Sequence, residues 1–536
     1  MSLISKFATV GGATLISRIF GFAREMMMAS ALGVSPVADA FNLAFRFPNL
    51  FRRFFAEGAL NSAFVPLFSR ALEQEGEAGA RRFATEIFST LTLVLFALTV
   101  PAIIFMPFLV RTIIAPGLNL CIDEAALPQA LSCAERFDIT VTFSRIMFPY
   151  LASMSLVAMI GGILNAYRRF FAAAAAPALL NLFLIAILAW CLWRQEDTRM
   201  LGFMMSWGVL AAGVAQFAMV AIAMRMAGFS LGLQRPRWTP GLKRLLVLAG
   251  PAALIGGITQ INLFVGQAVA SFKEGAVSIL TYADRPYQLP LGMVGVAIGV
   301  VLLPELSRAL KGGRIAEAQH TQNRSLEFAL FLTLPAAVAL FIMPEPIVRL
   351  IYERGAFGPD TTRAVAAVLG IYALGLPAFV LIRVFSPGYF AREDTRRPMF
   401  VTLASAIVNT VLSVALFFLL AERGIAMATT LAGWMNALLL FHGLYARGHW
   451  VVDRALLRRC AMLLVSSLIM GAVILFAMPY ARAFAQTHGT LGQIGGLIAL
   501  ITLAMIAYFG AALVTGAADR AMVFRILKLR AGRRGA

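Results

Sequence analysis

Residues 39–53 read Asp39-Ala40-Phe41-Asn42-Leu43-Ala44-Phe45-Arg46-Phe47-Pro48-Asn49-Leu50-Phe51-Arg52-Arg53. Asp39, Asn42, Arg46, Asn49 and Arg53 recur at steps of three and four, so on an α-helix they form one continuous polar stripe, and the other positions are mainly Phe, Leu and Ala. At 1.5 Å per residue the stripe runs about 21 Å, most of the ~30 Å hydrocarbon depth of a bilayer. Such a helix belongs in a membrane bundle with its stripe turned to the interior. Arg52 lies off the stripe on a straight helix, but Pro48 one turn earlier can kink the span and re-aim the side chains beyond it.

The rest of the chain agrees. Of 536 residues, 60% are hydrophobic and 13% charged, with a mean hydropathy of +0.82, where soluble chains have about 45–50% apolar and about 25% charged residues. Apolar stretches of spanning length succeed one another at 3–32, 36–56, 84–113, 138–165, 172–193, 200–224, 245–271, 276–303, 325–343, 362–390, 398–420, 424–446, 457–480 and 491–516. The expected fold is therefore an all-α polytopic membrane protein of about 14 transmembrane helices, with no soluble domain. Arg18 and Arg24 interrupt the first span where a signal peptide would be purely apolar, so that span reads as retained.

The formal charge is +20, with 46 Lys and Arg against 26 Asp and Glu. About 28 of the cations fall in both tails and in the loops near 70–82, 168–169, 225–244, 308–324, 392–397 and 447–459; the alternate loops hold about 10. The positive-inside rule places those loops and both termini in the cytoplasm, which accounts for the charge without nucleic acid. About eight arginines remain inside spans: Arg18, Arg24, Arg46, Arg52, Arg53, Arg145, Arg285 and Arg383. The embedded acids are fewer: Glu25, Asp39, Glu57 and Asp284. An arginine at mid-bilayer costs at least ~2.5–3.5 kcal/mol, so each needs a partner, a route to the interface or a wet cavity. The surplus favours an anionic ligand, and the planar fork of arginine suits phosphate. In the first span Arg18 and Glu25 share a face and Arg24 does not. In the eighth, Pro286 and Pro290 come after Tyr282-Ala283-Asp284-Arg285.

An internal repeat is visible. Pro66-Leu67-Phe68-Ser69-Arg70-Ala71-Leu72 matches Pro304-Glu305-Leu306-Ser307-Arg308-Ala309-Leu310 at five of seven positions, Pro48 aligns with Pro286, and Pro177 with Pro398. These anchors divide the chain into six-helix lobes at 1–227 and 228–450, then two extra helices and a basic tail at 451–536. Cys121 and Cys133 share the longest outward loop, where a bridge or two free thiols are both compatible with the sequence; Cys191 and Cys460 read as structural. The four histidines are scattered and the sequence gives no metal site, cofactor or enzymatic motif.

Ser17-Arg18-Ile19-Phe20-Gly21-Phe22-Ala23-Arg24-Glu25, with Ala38-Asp39 and Phe47-Pro48-Asn49-Leu50-Phe51-Arg52-Arg53 after it, resembles the MurJ (MviN) family of lipid II flippases, as do Tyr282–Arg285 and Gly388–Thr395. The resemblance implies the multidrug/oligosaccharidyl-lipid/polysaccharide exporter fold: two six-helix lobes around a central cavity and two C-terminal helices forming a groove for a lipid tail. It implies movement of lipid II, the undecaprenyl-pyrophosphate-linked disaccharide-pentapeptide, from the inner to the outer leaflet of a bacterial inner membrane. Other cell-wall synthesis proteins are candidate partners and a monomer is expected. The family arginines fall on Arg18, Arg24, Arg52 and Arg285 and its aspartate on Asp39, so the resemblance favours Arg52 where the straight-helix stripe favours Arg53. With Arg46 and Asp284 from the reading of the spans, these make the expected substrate-binding set. The chain departs from some relatives at Gln288 and Gly266, where they carry carboxylate or amide side chains, so the sodium site of such relatives is not expected and no driving ion is implied. A drug or cation antiporter of the same superfamily would want a net acidic or aromatic cavity. A non-transporting scaffold has no need of charge at mid-membrane.

Overall fold

The computed structural model describes residues 3–52, 60–119 and 131–517, and among these the chain is helical with no strand. In chain order the helices are α1 (Leu3–Leu32), α2 (Pro36–Arg52), α3 (Leu60–Ile104), α4 (Met106–Leu109), α5 (Cys133–Met147), α6 (Tyr150–Ala166), α7 (Phe171–Arg194), α8 (Thr198–Met226), α9 (Pro240–Ala270), α10 (Ala276–Lys311), α11 (Ile315–Ile342), α12 (Pro344–Tyr352), α13 (Pro359–Phe390), α14 (Arg396–Leu420), α15 (Glu422–Tyr445) and α16 (Arg454–Val514). Each expected span falls mainly on helix where it is described, and ten stretches among the described residues are long and apolar enough to cross a membrane. The count of fourteen is not reached on that criterion. Helix α2, for instance, has 17 described residues and carries Asp39, Arg46 and Arg52.

Local chemistry sets the ends. Asp197 accepts from the Met200 N–H at 2.7 Å, Asp453 from Leu456 at 2.6 Å and Thr239 from Leu242 at 3.2 Å, each capping a helix whose first N–H groups have no intrahelical acceptor. Ser132 and Glu135 form a reciprocal capping box at the start of α5. The span expected over 138–165 lies within one apolar stretch, Cys133–Ala166, whose helix is interrupted only at Phe148-Pro149, where proline removes a ladder hydrogen bond. Helix α3 turns at Gly76 (φ 69°) and α16 at Gly489 (φ 58°), the latter separating the last two apolar stretches. Cys133 is disulfide-bonded and Cys121 lies outside the described residues, while Cys191 and Cys460 are free.

By backbone packing the chain forms two compact units, residues 1–278 with 354–358, and residues 279–353 with 359–536. In the first, α1 packs on α7, α7 and α6 on α8, α2 on α5, and α3 on α6 and α9. Its core includes the buried rings of Phe64, Phe68, Phe143, Tyr150 and Phe229. In the second, α13 packs on α11 and α15, α14 on α15, and α16 on α11. Helix α16 turns Leu468, Leu475, Phe476, Ile498 and Ile506 outward, at 57–75% exposure, as lipid-facing side chains do.

Candidate functional site

In the first unit Asp39 sits at 5% exposure on the polar stripe of α2. Its Oδ2 accepts from the Gly275 N–H at 2.6 Å, and its Oδ1 accepts from the Ser278 N–H at 2.8 Å and the Ser278 hydroxyl at 2.6 Å. Asn42, one turn on, reaches the same hydroxyl at 3.4 Å. A carboxylate has thus come from α2 to cap the first turn of α10, where unsatisfied N–H groups carry partial positive charge. None of these donors is an arginine.

Residues the sequence did not single out complete this end of the unit. Gly117 packs where a Cβ would stand 2.3 Å from the Phe272 nitrogen, and its N–H donates to the Ser271 hydroxyl at 3.0 Å. Arg136 pairs with Glu274 at 3.5 Å. Gly33 (φ 56°) and Gly355 (φ 58°) lie back to back around the hydrogen bond from the Ala356 N–H to the Ser30 carbonyl, 2.8 Å. The glycines that come after Leu32 and Glu274 mark turns in the sequence, but nothing local shows what they pack against.

The arginines divide. Arg24 is bonded to Glu25, with side chains 13% and 5% exposed, so the adjacent residue rather than Arg18 takes the carboxylate. Neighbours at i,i+1 diverge on a helix, and the long guanidinium stem bridges the gap. The Arg24 Nε is buried and meets no acceptor among the described residues. Arg18 is exposed on the same helix, whose Ser17 carbonyl accepts from Asn181 of α7 at 3.0 Å. Arg46 is half-buried on the α2 stripe. Arg52 closes α2 as described, though its side chain, and Arg53 and Glu57 altogether, lie outside the described residues. Arg145 is exposed and donates to the Ile103 carbonyl at 3.1 Å, a partner at a helix end.

In the second unit Asp284 and Arg285 are half-buried on α10, and Asp284 accepts from Gln288 one turn along. Aromatic packing holds this stretch: the Tyr282 ring packs tilted against Tyr352 at 5.3 Å between centroids, and Tyr287 against Tyr372 at 5.6 Å. Arg383 is exposed. Among the described residues no cluster of His, Cys, Asp and Glu could hold a metal ion.

These features define an all-α polytopic membrane protein with arginines in its bundle helices. The same fold occurs in an inward-facing multidrug resistance MATE family transporter of the MOP superfamily, at TM-score 0.66 and 14% identity over 80% of this chain and 94% of that one. The family model "Lipid II flippase MurJ" matches residues 28–493, and the chain belongs to that family. A probable lipid II flippase MurJ of Rhizobium tropici is 54% identical over 98% of this chain and 97% of its own length. The lipid II flippase MurJ of Burkholderia cenocepacia is 31% identical over 96% and 98%. A solved lipid II flippase MurJ in an inward closed conformation superposes at TM-score 0.74 with 26% identity, covering 94% of this chain and 98% of that one.

Proposed function

We propose that this protein is a transporter, not an enzyme, that moves lipid II from the inner to the outer leaflet by alternating access. Membership of the flippase family over nearly its whole length supports the substrate. The observation that carries the mechanism is Arg24: a guanidinium held in a bundle helix, ion-paired with Glu25, with a buried N–H that no described group accepts. A buried donor left unmet costs about 1–3 kcal/mol or more when charged, and a phosphate oxygen removes that cost.

On this reading Arg18, Arg24, Arg46, Arg52 and Arg285 contact the pyrophosphate, Asp284 keeps its neighbouring arginine oriented, and Asp39 serves by capping α10. Residues 1–227 and 228–450 act as the two lobes, and 451–536 accompany the prenyl chain. The basic loops and both termini face the cytoplasm, the protein works as a monomer in the inner membrane, and other cell-wall synthesis proteins are its candidate partners. An inside-negative potential favours inward movement of positive charge, so it resets the empty arginine-bearing site at about 2.3 kcal/mol per charge per 100 mV.

The test replaces Arg18, Arg24 and Arg285 singly by Ala in cells depleted of their own flippase and measures lipid II in the outer leaflet. Loss of outer-leaflet lipid II with normal membrane insertion is expected. Full complementation by all three variants would end the phosphate-grip mechanism.

A further inference from the structure

The repeated heptapeptide beginning at Pro66 has no place among the arginines assigned above. In the first unit its Arg70, on α3, lines a groove of about 560 Å³ together with Lys243 and Arg244 of α9, and the apolar lining includes Leu67, Val247 and Leu248. The walls are tied together: the Thr239 hydroxyl donates to the Glu86 carboxylate, and the Gln234 N–H donates to the Ser89 hydroxyl at 2.9 Å. Lys243 and Val247, and Arg244 and Leu248, are four residues apart on α9, and Leu67 and Arg70 are three apart on α3. Each helix therefore sets charge one turn from an apolar side chain.

Among the described residues no acid lines the groove, and Glu73, the acid nearest to Arg70 in sequence, is not among its lining. Val247 and Leu248 stand 66% and 50% exposed, an apolar floor open to its surroundings beneath three exposed cations. A soluble polyanion has no use for that floor, and a zwitterionic lipid has no use for three clustered cations. We propose that this groove binds the phosphodiester headgroup of an anionic glycerophospholipid, with an acyl chain along Val247 and Leu248. The inference goes beyond the flippase reading, because the ligand is a resident lipid and not the cargo. The second copy of the heptapeptide places Glu305 where the first has Leu67, a carboxylate where the floor requires an apolar group, so Arg308 serves as a built-in control.

The test is lipid titration of the purified full-length protein, with bound dioleoyl phosphatidylglycerol and dioleoyl phosphatidylcholine counted by native mass spectrometry. The Arg70→Gln/Lys243→Gln/Arg244→Gln variant should lose phosphatidylglycerol affinity about a hundredfold, from about fivefold per cation, and leave phosphatidylcholine binding unchanged. Arg308→Gln should bind as the native protein does. A triple variant that keeps the native preference for phosphatidylglycerol overturns the proposal. So does a triple variant that loses binding of farnesyl diphosphate alone, which would give the groove to the cargo's diphosphate. Should the Gln variant fail to fold, the charge-retaining Arg70→Lys/Lys243→Arg/Arg244→Lys protein and a salt titration decide. Preserved preference that weakens from 50 to 500 mM salt supports the site, and a preference indifferent to salt refutes it.

Discussion

Asp39 and Ser278, 239 residues apart in sequence, meet through two hydrogen bonds of 2.8 and 2.6 Å to a single carboxylate oxygen. The other oxygen holds Gly275. Removing this cap should cost more than an exposed N-cap, because the N–H groups it satisfies are buried. Asp39→Ala is expected to lose about 2–4 kcal/mol, Asp39→Asn less because one oxygen remains, and Ser278→Ala about 1 kcal/mol. Denaturation of the purified protein in detergent measures the order, and an Asp39→Ala protein as stable as native contradicts it.

The glycines at 33 and 76 share a positive φ but not their surroundings. A Cβ on Gly33 would stand 2.4 Å from the Ala356 carbonyl oxygen, whereas one on Gly76 meets nothing within 4 Å. Gly76→Ala should therefore cost only the backbone strain, about 1–3 kcal/mol, and Gly33→Ala clearly more. Comparing the melting temperatures of the two variants checks this, and equal shifts would mean that the 354–358 segment yields freely.

Arg24 and Arg145 are both arginines within apolar spans, and the family resemblance singles out only Arg24. Arg145 is exposed with a helix-end carbonyl as partner, so Arg145→Ala should stay within about 0.5 kcal/mol of native stability and complement a flippase-depleted strain. Arg24→Ala should not complement. Growth under depletion separates the two.

His449 supplies a pH dependence in the loop after α15. Burial, and then the charges of Arg392 and Arg447, hold its imidazole below the usual histidine range, against a smaller opposing effect of Asp394. The unfolded chain then binds the proton more readily than the folded one. Stability should be full above about pH 6.5 and fall as the pH drops through that value. His449→Gln should flatten the fall in melting temperature between pH 7.5 and 5.5, and an unchanged slope would place the acid sensitivity elsewhere.

Much of the site was legible because membrane burial makes charge conspicuous. Asp39, Arg46 and Arg24 stand out against Phe, Leu and Ala, and period alone put Asp39 and Asn42 on one face, where both reach Ser278. Pairing was less legible. Helical spacing joined Arg18 to Glu25, yet the carboxylate bonds to Arg24, because a flexible stem of several rotatable bonds overrides the Cβ direction. The apolar run over 138–165 reads as one span and stands as one, and only the local interruption at Phe148-Pro149 escapes a reading by composition.

Composition and period, read over about 20 residues at a time, suffice to identify a polytopic helical membrane protein, the positions of its helices and an excess of arginines over acids within them. The folded arrangement alone brings Asp39 to the start of α10, sets Gly33 and Gly355 against one backbone hydrogen bond, and gathers Arg70 with Lys243 and Arg244. Each of these joins residues far apart in the chain through groups a few ångströms across, and no local pattern encodes which distant N–H or cation will arrive.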